Sequence, residues 1–239
     1  MSKKKPVYTD EERIDRLWSQ EQIKDLMGRR QMYLANDWRS RELDELWVSL
    51  PEHQATASYG RNWGYYTGLD NIRAWYVDAL DQNVKNDNLG VLVMHPVTTP
   101  LVVLADDGKT AQGTWWSLGF EGKPDETGEA KVYWYGIKLA ADFILEDGVW
   151  KLWHLFESND YEYECGTSMG GCKTFPEPGT LMPELEFKTP TIPMTAHKRC
   201  FGWVDGYPHL PDRYETFSED IGFGPEGNPR YNGQLKGVV

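Results

Sequence analysis

The segment VMHPVTTPLVVLADDGKTAQGTWW, residues 93–116, sets one histidine among apolar and β-branched residues, turns at Asp107-Gly108 and comes back. Two such runs around an Asp-Gly pair predict antiparallel strands joined by a tight turn. The pattern continues downstream, where Asp147-Gly148 separates two more β-type runs. Residues 90–105, 110–121, 131–146 and 149–158 together predict an antiparallel meander. Several runs are apolar on both alternating faces, as in Val93, His95 and Val97 against Leu92, Met94 and Thr98. One face then packs on helices, and the other needs a second subunit to cover it. A closed homo-oligomer is expected, a homotrimer ahead of a dimer.

Upstream of the strands the period is helical. Thr9-x-x-Glu12 and Ser19-x-x-Gln22 each read as a capping box and predict two N-terminal helices. In the second, Ile23, Leu26, Met27, Tyr33 and Leu34 form the inward stripe, and Arg30 and Asp37 fall on or beside it. A third helix is predicted from Asp70, as N-cap, to Leu80, with Ile72, Trp75 and Tyr76 inward. ATASYG and WGYYTG read as short strands around Arg61-Asn62. Helices followed by a long curled antiparallel sheet make an α+β fold, the sheet wrapping the helices into a cone-shaped cavity.

The chain of 239 residues suits one core over residues 1–163 and an arm over residues 164–239. Nine of the fourteen prolines fall after residue 160, too many for regular structure, yet the arm carries Phe175, Phe201, Trp203, Tyr207 and Tyr214. It is expected to lie across the core or a neighbouring subunit.

With 25 Lys+Arg against 37 Asp+Glu, the formal charge of -12 repels polyphosphates and anionic bilayers, which argues against nucleic acid and membrane as partners. No apolar stretch has the length of a membrane span or the pattern of a secretion signal. Cys165, Cys172 and Cys200 are odd in number with no CxxC spacing, so reduced thiols and a cytoplasmic location are expected. Nothing matches a phosphate loop, a GxSxG elbow or a zinc signature, and neither cofactor nor metal is expected. The partner expected instead is a small-molecule substrate, because eleven tryptophans and thirteen tyrosines supply flat walls for a cyclic ligand.

Chemistry centres on His95. An imidazole among valines is either a satisfied core group or a base facing the cavity. Across that cavity stand Arg30, Tyr33 and Asp37, and a carboxylate beside an imidazole suits proton abstraction followed by loss of a leaving group. Trp63 and Trp116 are candidate walls for the substrate. His154 alternates with Trp150, Leu152 and Phe156 and so is expected on their face, either in the cavity or at an interface. Asp142, in LAADFIL, is an acid in an apolar strand and needs a partner if buried.

Four stretches in register, QIKDLMGRRQMYLANDWRSRELDELWV, YGRNWGYYTGLDNIRAWY, HPVTTPLVVLADDGKTAQGTWW and FILEDGVWKLWHLFESNDYE, resemble the SnoaL-like branch of the nuclear transport factor 2-like superfamily over roughly residues 10–160. That branch includes the scytalone and bile acid 7-alpha dehydratases, cofactor-free lyases that pair a strand histidine with a helix aspartate and are often trimers. The resemblance implies that His95 is the strand histidine. It places Ala35 or Asn36 at the aspartate position, with Asp37 one or two residues later, and Arg30 where a tyrosine stands in the bile acid enzyme. Its implication is a lyase or isomerase acting on a small cyclic hydrophobic substrate, with Asp37 or Asn36 orienting His95 and Tyr33 or Arg30 stabilising the oxyanion. The alternative is a non-catalytic binding or assembly protein of the same fold.

Overall fold

A computed structural model describes residues 6–79, 92–124, 129–166, 190–193 and 207–229. The Thr9 box opens one continuous helix, α1 (Asp10–Ala35), instead of the first of two. Thr9 Oγ1 accepts from the Glu12 amide at 3.2 Å, and Glu12 Oε2 accepts from the Thr9 amide at 2.7 Å. Ser19 lies inside the helix, where neither Pro nor Gly interrupts residues 10–27 and no break exists for it to cap. Two short helices follow that the sequence pattern did not announce, α2 (Arg39–Leu46) and α3 (Pro51–Thr56). Strands β1 (Ser58–Arg61) and β2 (Gly64–Thr67) form the short hairpin. Next comes α4 (Leu69–Arg73), capped at Gly68 and not Asp70, which runs into a π-helical segment, Ala74–Ala79; Leu80 lies outside the described residues.

The remaining strands are β3 (Leu92–Met94), β4 (Val97–Leu104), β5 (Thr110–Pro124), β6 (Ala130–Glu146), β7 (Val149–Glu164) and β8 (Ile192–Pro193). Both β3 and β4 pair with β5, and the order continues β6, β7, β1, β2, β8 in a curved, unclosed sheet. Asp147 and Gly148, both at positive φ, reverse the chain between β6 and β7. The sheet is mixed and not purely antiparallel, because β1 enters beside the far edge of β7 and runs parallel to it, with Tyr59 opposite Leu155.

The concave face packs on the helices: Leu139, Ala141, Phe143, Leu152 and Leu155 meet Ile23, Met27, Leu43 and Trp47 in one core. Helix α1 also closes the open edge of β4. Arg16 donates to the Leu104 and Ala105 carbonyls and Gln20 to that of Val102, each at 2.9 Å, which occupies acceptors another chain would otherwise take.

Residues 207–229 lie on the opposite face. Tyr207 and Phe223 cover Tyr65, Ala140 and Phe156, the Phe223 amide donates to Asp142 Oδ2 at 2.6 Å, and Gln112 Nε2 donates to the Ile221 carbonyl at 2.7 Å. Phe175, Phe201 and Trp203 lie outside the described residues. Phe223 is fully buried, so Phe223→Ala is expected to lower the free energy of unfolding by about 3–5 kcal/mol in urea titrations and to open residues 207–229 to protease. Equal stability would mean that the covering segment contributes nothing to the fold.

Candidate functional site

Arg30 projects from the buried face of α1 and is completely enclosed. Its Nε lies 3.2 Å from Glu42 Oε1 on α2, and its Nη2 lies 2.9 Å from Glu157 Oε1 on β7 and 2.9 Å from the Tyr59 hydroxyl on β1. In the amide orientation that hydrogen bonding requires, Gln31 accepts from Arg30 Nη1 and donates to the His95 carbonyl, both at 2.9 Å. Arg61 pairs with the other oxygen of Glu157. Tyr76 and Trp47 donate to Glu42 at 2.7 and 3.2 Å.

The two buried glutamates respond differently to one enclosure. Burial works to raise the Glu157 carboxyl, but Arg30 and Arg61 outweigh it and hold the group below the usual carboxylate range. Glu42 has one cation where Glu157 has two, and there burial prevails, raising its carboxyl against Arg30, Tyr76 and Trp47. Burial works against the charge of Arg30 as well, yet Glu42, Tyr59 and Glu157 hold the guanidinium firmly protonated.

His95 lies in a two-residue break between β3 and β4, not inside a strand as expected. The register is unchanged across the break, with Met94 opposite Phe120 and Val97 opposite Ser117. Pro96 has no N–H to contribute to the ladder, so pairing lapses while His95 keeps its alignment with Gly119. The side chain is buried on the helix side, and its Nε2 lies 2.9 Å from Glu121 Oε1 on β5. An ionised carboxylate only accepts, so Nε2 carries the proton and a neutral ring leaves its lone pair on Nδ1. That nitrogen is buried and has no hydrogen-bond partner among the described residues. Gly119 makes the placement possible, since a Cβ there would collide with Nδ1. Tyr135 presents an edge to the imidazole at 5.7 Å; its hydroxyl pKa is raised by burial first and then by Glu121 and Glu162.

The other candidates from α1 do not meet His95. Asp37 pairs with Arg39 at 2.6 Å, Asn36 caps α1 with Nδ2 on the Met32 carbonyl at 2.7 Å, and the Tyr33 hydroxyl donates to Glu45 at 2.6 Å. The helix touches His95 at Gln31, and its last residue, Ala35, lies about 6 Å further along the axis, with Asn36 and Asp37 in the turn beyond it. Trp63 is buried at the β1–β2 turn, with the Arg61 guanidinium 5.0 Å from its ring centre, at the margin of the ion network. Trp116 points to the convex face, 45% exposed, beneath Lys138.

His154 also occupies the convex side. A bulge between Asp142 and Phe143 of β6 leaves Trp153 without a register partner, so the alternation changes parity after Leu152. His154 and Phe156 therefore lie opposite to Trp150 and Leu152, contrary to the face expected from strict alternation. His154 Nδ1 lies 2.8 Å from Asp142, and its Nε2 lies 3.2 Å from the Thr56 carbonyl. Asp142 thus has a partner, and it also accepts from Gln112 and the Phe223 amide.

Sequence reading missed Glu121, Glu157, Arg61 and Gln31. Glu121 was legible, because alternation from Trp115 through Ser117 and Gly119 leads to it; Glu157 was hidden behind the bulge. Among the described residues no group of three or more His, Cys, Asp or Glu is arranged to hold a metal ion.

Comparison with known proteins finds that the family described as SnoaL-like domain matches residues 15–155, more than half of the chain. No curated protein sequence matches it. Among solved structures, a hexachlorocyclohexane dehydrochlorinase of type 2 is similar at TM-score 0.50 and 18% identity, over 65% of this chain and 94% of that one. A type 3 hexachlorocyclohexane dehydrochlorinase from Novosphingobium barchaimii LL02 gives TM-score 0.49 and 18% identity over 65% and 95%. A protein from Streptomyces avermitilis, with a provisional dehydratase assignment in the NTF2-like family, gives 0.48 and 17% over 58% and 94%. At such identities the likeness concerns the fold.

The ion network makes its own prediction. Glu157→Gln leaves two buried guanidiniums short of a counter-charge and is expected to cost about 3–5 kcal/mol of unfolding free energy at neutral pH. Because the folded carboxyl lies below its ordinary value, that stability is present above the ordinary glutamate range and lost as pH falls through the folded value. The gap between variant and parent in thermal melts should therefore narrow in acid.

Proposed function

The chain belongs to the SnoaL-like domain family of the nuclear transport factor 2-like superfamily, and from that membership we propose that it is a cofactor-independent lyase or isomerase whose general base is His95. The observation that carries this reading is the pairing of buried His95 with Glu121, which fixes one ring nitrogen as donor and leaves the other with a lone pair and no partner among the described residues.

In the proposed reaction Nδ1 takes a proton from a carbon beside an activating group. The C–H electron pair moves into a new double bond and expels a group from the next carbon, or the proton returns elsewhere on the substrate in an isomerisation. Glu121 holds the ring and stabilises the imidazolium that forms. Arg30 and Gln31 are positioning residues: Arg30 orients Gln31, and Gln31 holds the His95 carbonyl. Aromatic walls suit a small cyclic hydrophobic substrate, and Trp75, stacked on Tyr66 at 4.2 Å, extends them beyond Trp63. The second reading is binding without turnover. It draws on the enclosed charges of Arg30, Glu42, Glu157 and Arg61, in which each guanidinium already has a carboxylate partner.

Trp116, Leu118 and Trp134 are 45%, 60% and 39% exposed on the convex face, which supports a closed homo-oligomer, trimer ahead of dimer, as the working assembly. No helix among the described residues is long and apolar enough to cross a membrane.

A screen of small cyclic hydroxy-ketones and steroid-like enones tests the reaction. His95→Gln is expected to lower turnover by about a hundredfold or more with the fold retained. Glu121→Gln should lower it less, and Asp37→Asn should leave it unchanged because Asp37 pairs with Arg39. If His95→Gln costs about 1–3 kcal/mol of stability and no turnover is found for the parent, His95 is a structural residue.

A further inference from the structure

Ser117 stands on β5 two residues before Gly119, on the same concave face. Its side chain is completely buried, its register partners are Val97 and Ile137, and its hydroxyl makes no hydrogen bond among the described residues. A buried hydroxyl among apolar neighbours is a loss that alanine would avoid, so a strand carrying one without a partner points to a partner from outside the protein. Another such atom on this face is His95 Nδ1. His95 is aligned with Gly119, which makes Ser117 its diagonal cross-strand neighbour, at about 7–8 Å between backbones and closer between side chains. One of these orphaned atoms is a donor and the other a lone pair.

We infer that Ser117 is a specificity-determining residue of the proposed site, its hydroxyl receiving the carbonyl oxygen of a cyclic ketone or enone of the class screened above. This rests on the reading of His95 as the base. A carbonyl oxygen and its α-hydrogen are separated by few bonds, a span that suits two neighbouring side chains on one sheet face. His95 Nδ1 takes the α-proton, the C–H bond breaks, and the electron pair passes through the new carbon–carbon double bond to the oxygen. Ser117 O–H donates to that enolate oxygen. Collapse of the enolate returns the proton from His95 to another carbon, or expels a β-hydroxyl as water with the same proton. A polychlorinated ring has no oxygen for Ser117 to hold, so the inference separates this chain's substrate class from that named for the dehydrochlorinases.

Cyclohexanone serves as the probe, with methylenecyclohexane as the match in shape without oxygen. Saturation-transfer NMR reads binding of each, and loss of the α-proton signals in D2O reads proton abstraction. The parent is expected to bind cyclohexanone in preference to methylenecyclohexane and to exchange its α-protons. Ser117→Ala should erase the preference and slow exchange by about a hundredfold, while its melting temperature stays the same or rises. His95→Gln should abolish exchange and keep the preference. A parent without the preference overturns the inference, even if chloride release from a chlorinated ring shows it to be a lyase. So does an unchanged preference in Ser117→Ala, or a large fall in its melting temperature, which would make the hydroxyl structural. A parent that prefers the ketone but exchanges nothing leaves Ser117 in place and removes His95 as the base.

Discussion

A guanidinium with no exposed atom lies where α1, α2, β1 and β7 meet, and the inner architecture is arranged around what that charge requires. An isolated ion at that depth would be prohibitive, so Arg30 holds its place only while Glu42, Glu157, Tyr59 and Gln31 all reach it. Each comes from a different position in the chain. Glu42 requires the turn from Asn36 to Trp38, just past the end of α1, to bring α2 back across the helix. Tyr59 and Glu157 require β1 to lie parallel to β7 in the observed register. That parallel pairing is the least expected feature of the sheet, and the ion network is its physical partner. The same guanidinium reaches the candidate site through one side chain, because Gln31 bonds both Arg30 and the His95 carbonyl.

Among the described residues His53, His95 and His154 each have a carboxylate within 3 Å, and the two on the sheet, His95 and His154, differ in what their second nitrogen meets. His154 spends both nitrogens, one on Asp142 and one on the Thr56 carbonyl, while Trp153 stacks on its ring at 4.3 Å. It ties the convex face of the sheet to α3 and, through Asp142, to residues 221–223. His95 spends one nitrogen and keeps the other. A ring that satisfies every donor and acceptor is part of the scaffold, whereas a buried ring with a free lone pair carries an unmet cost that a substrate proton can offset.

Much of the fold was legible because its signals are local. Asp147-Gly148 specifies its turn through two positive φ values, and Thr9 with Glu12 specifies a helix start through two hydrogen bonds. What failed depended on counting along the chain. Ser19 imitates a cap but lies in a helix with nothing to interrupt it, and the bulge at Trp153 reverses the faces of residues 154–159, until a second bulge at Asp160, carrying His154 to the convex face and Glu157 to the concave one. A bulge adds one residue without a compositional mark, so alternation read through it inverts. A carboxylate beside His95 was expected on α1 from the inward stripe and from the family resemblance alike, and the carboxylate that meets it lies on the neighbouring strand.

The local chemistry around His95 follows from a proline and a glycine facing one another across two strands. Pro96 withholds its N–H, and the ladder between β3 and β4 lapses for two residues without a change of register. The lapse leaves the His95 carbonyl for Gln31, while the retained alignment keeps the imidazole on the concave face. Across from it, only a residue without Cβ leaves room for the ring, and Gly119 is that residue. One side chain further along on the same face, Glu121 meets Nε2; one side chain back, Ser117 holds an unpaired hydroxyl. Period-two spacing on a single strand thus supplies the carboxylate that meets the imidazole, the gap that admits it and the hydroxyl beside it, so the surroundings of His95 are set by β5 and not by the part of the helix that the resemblance indicated.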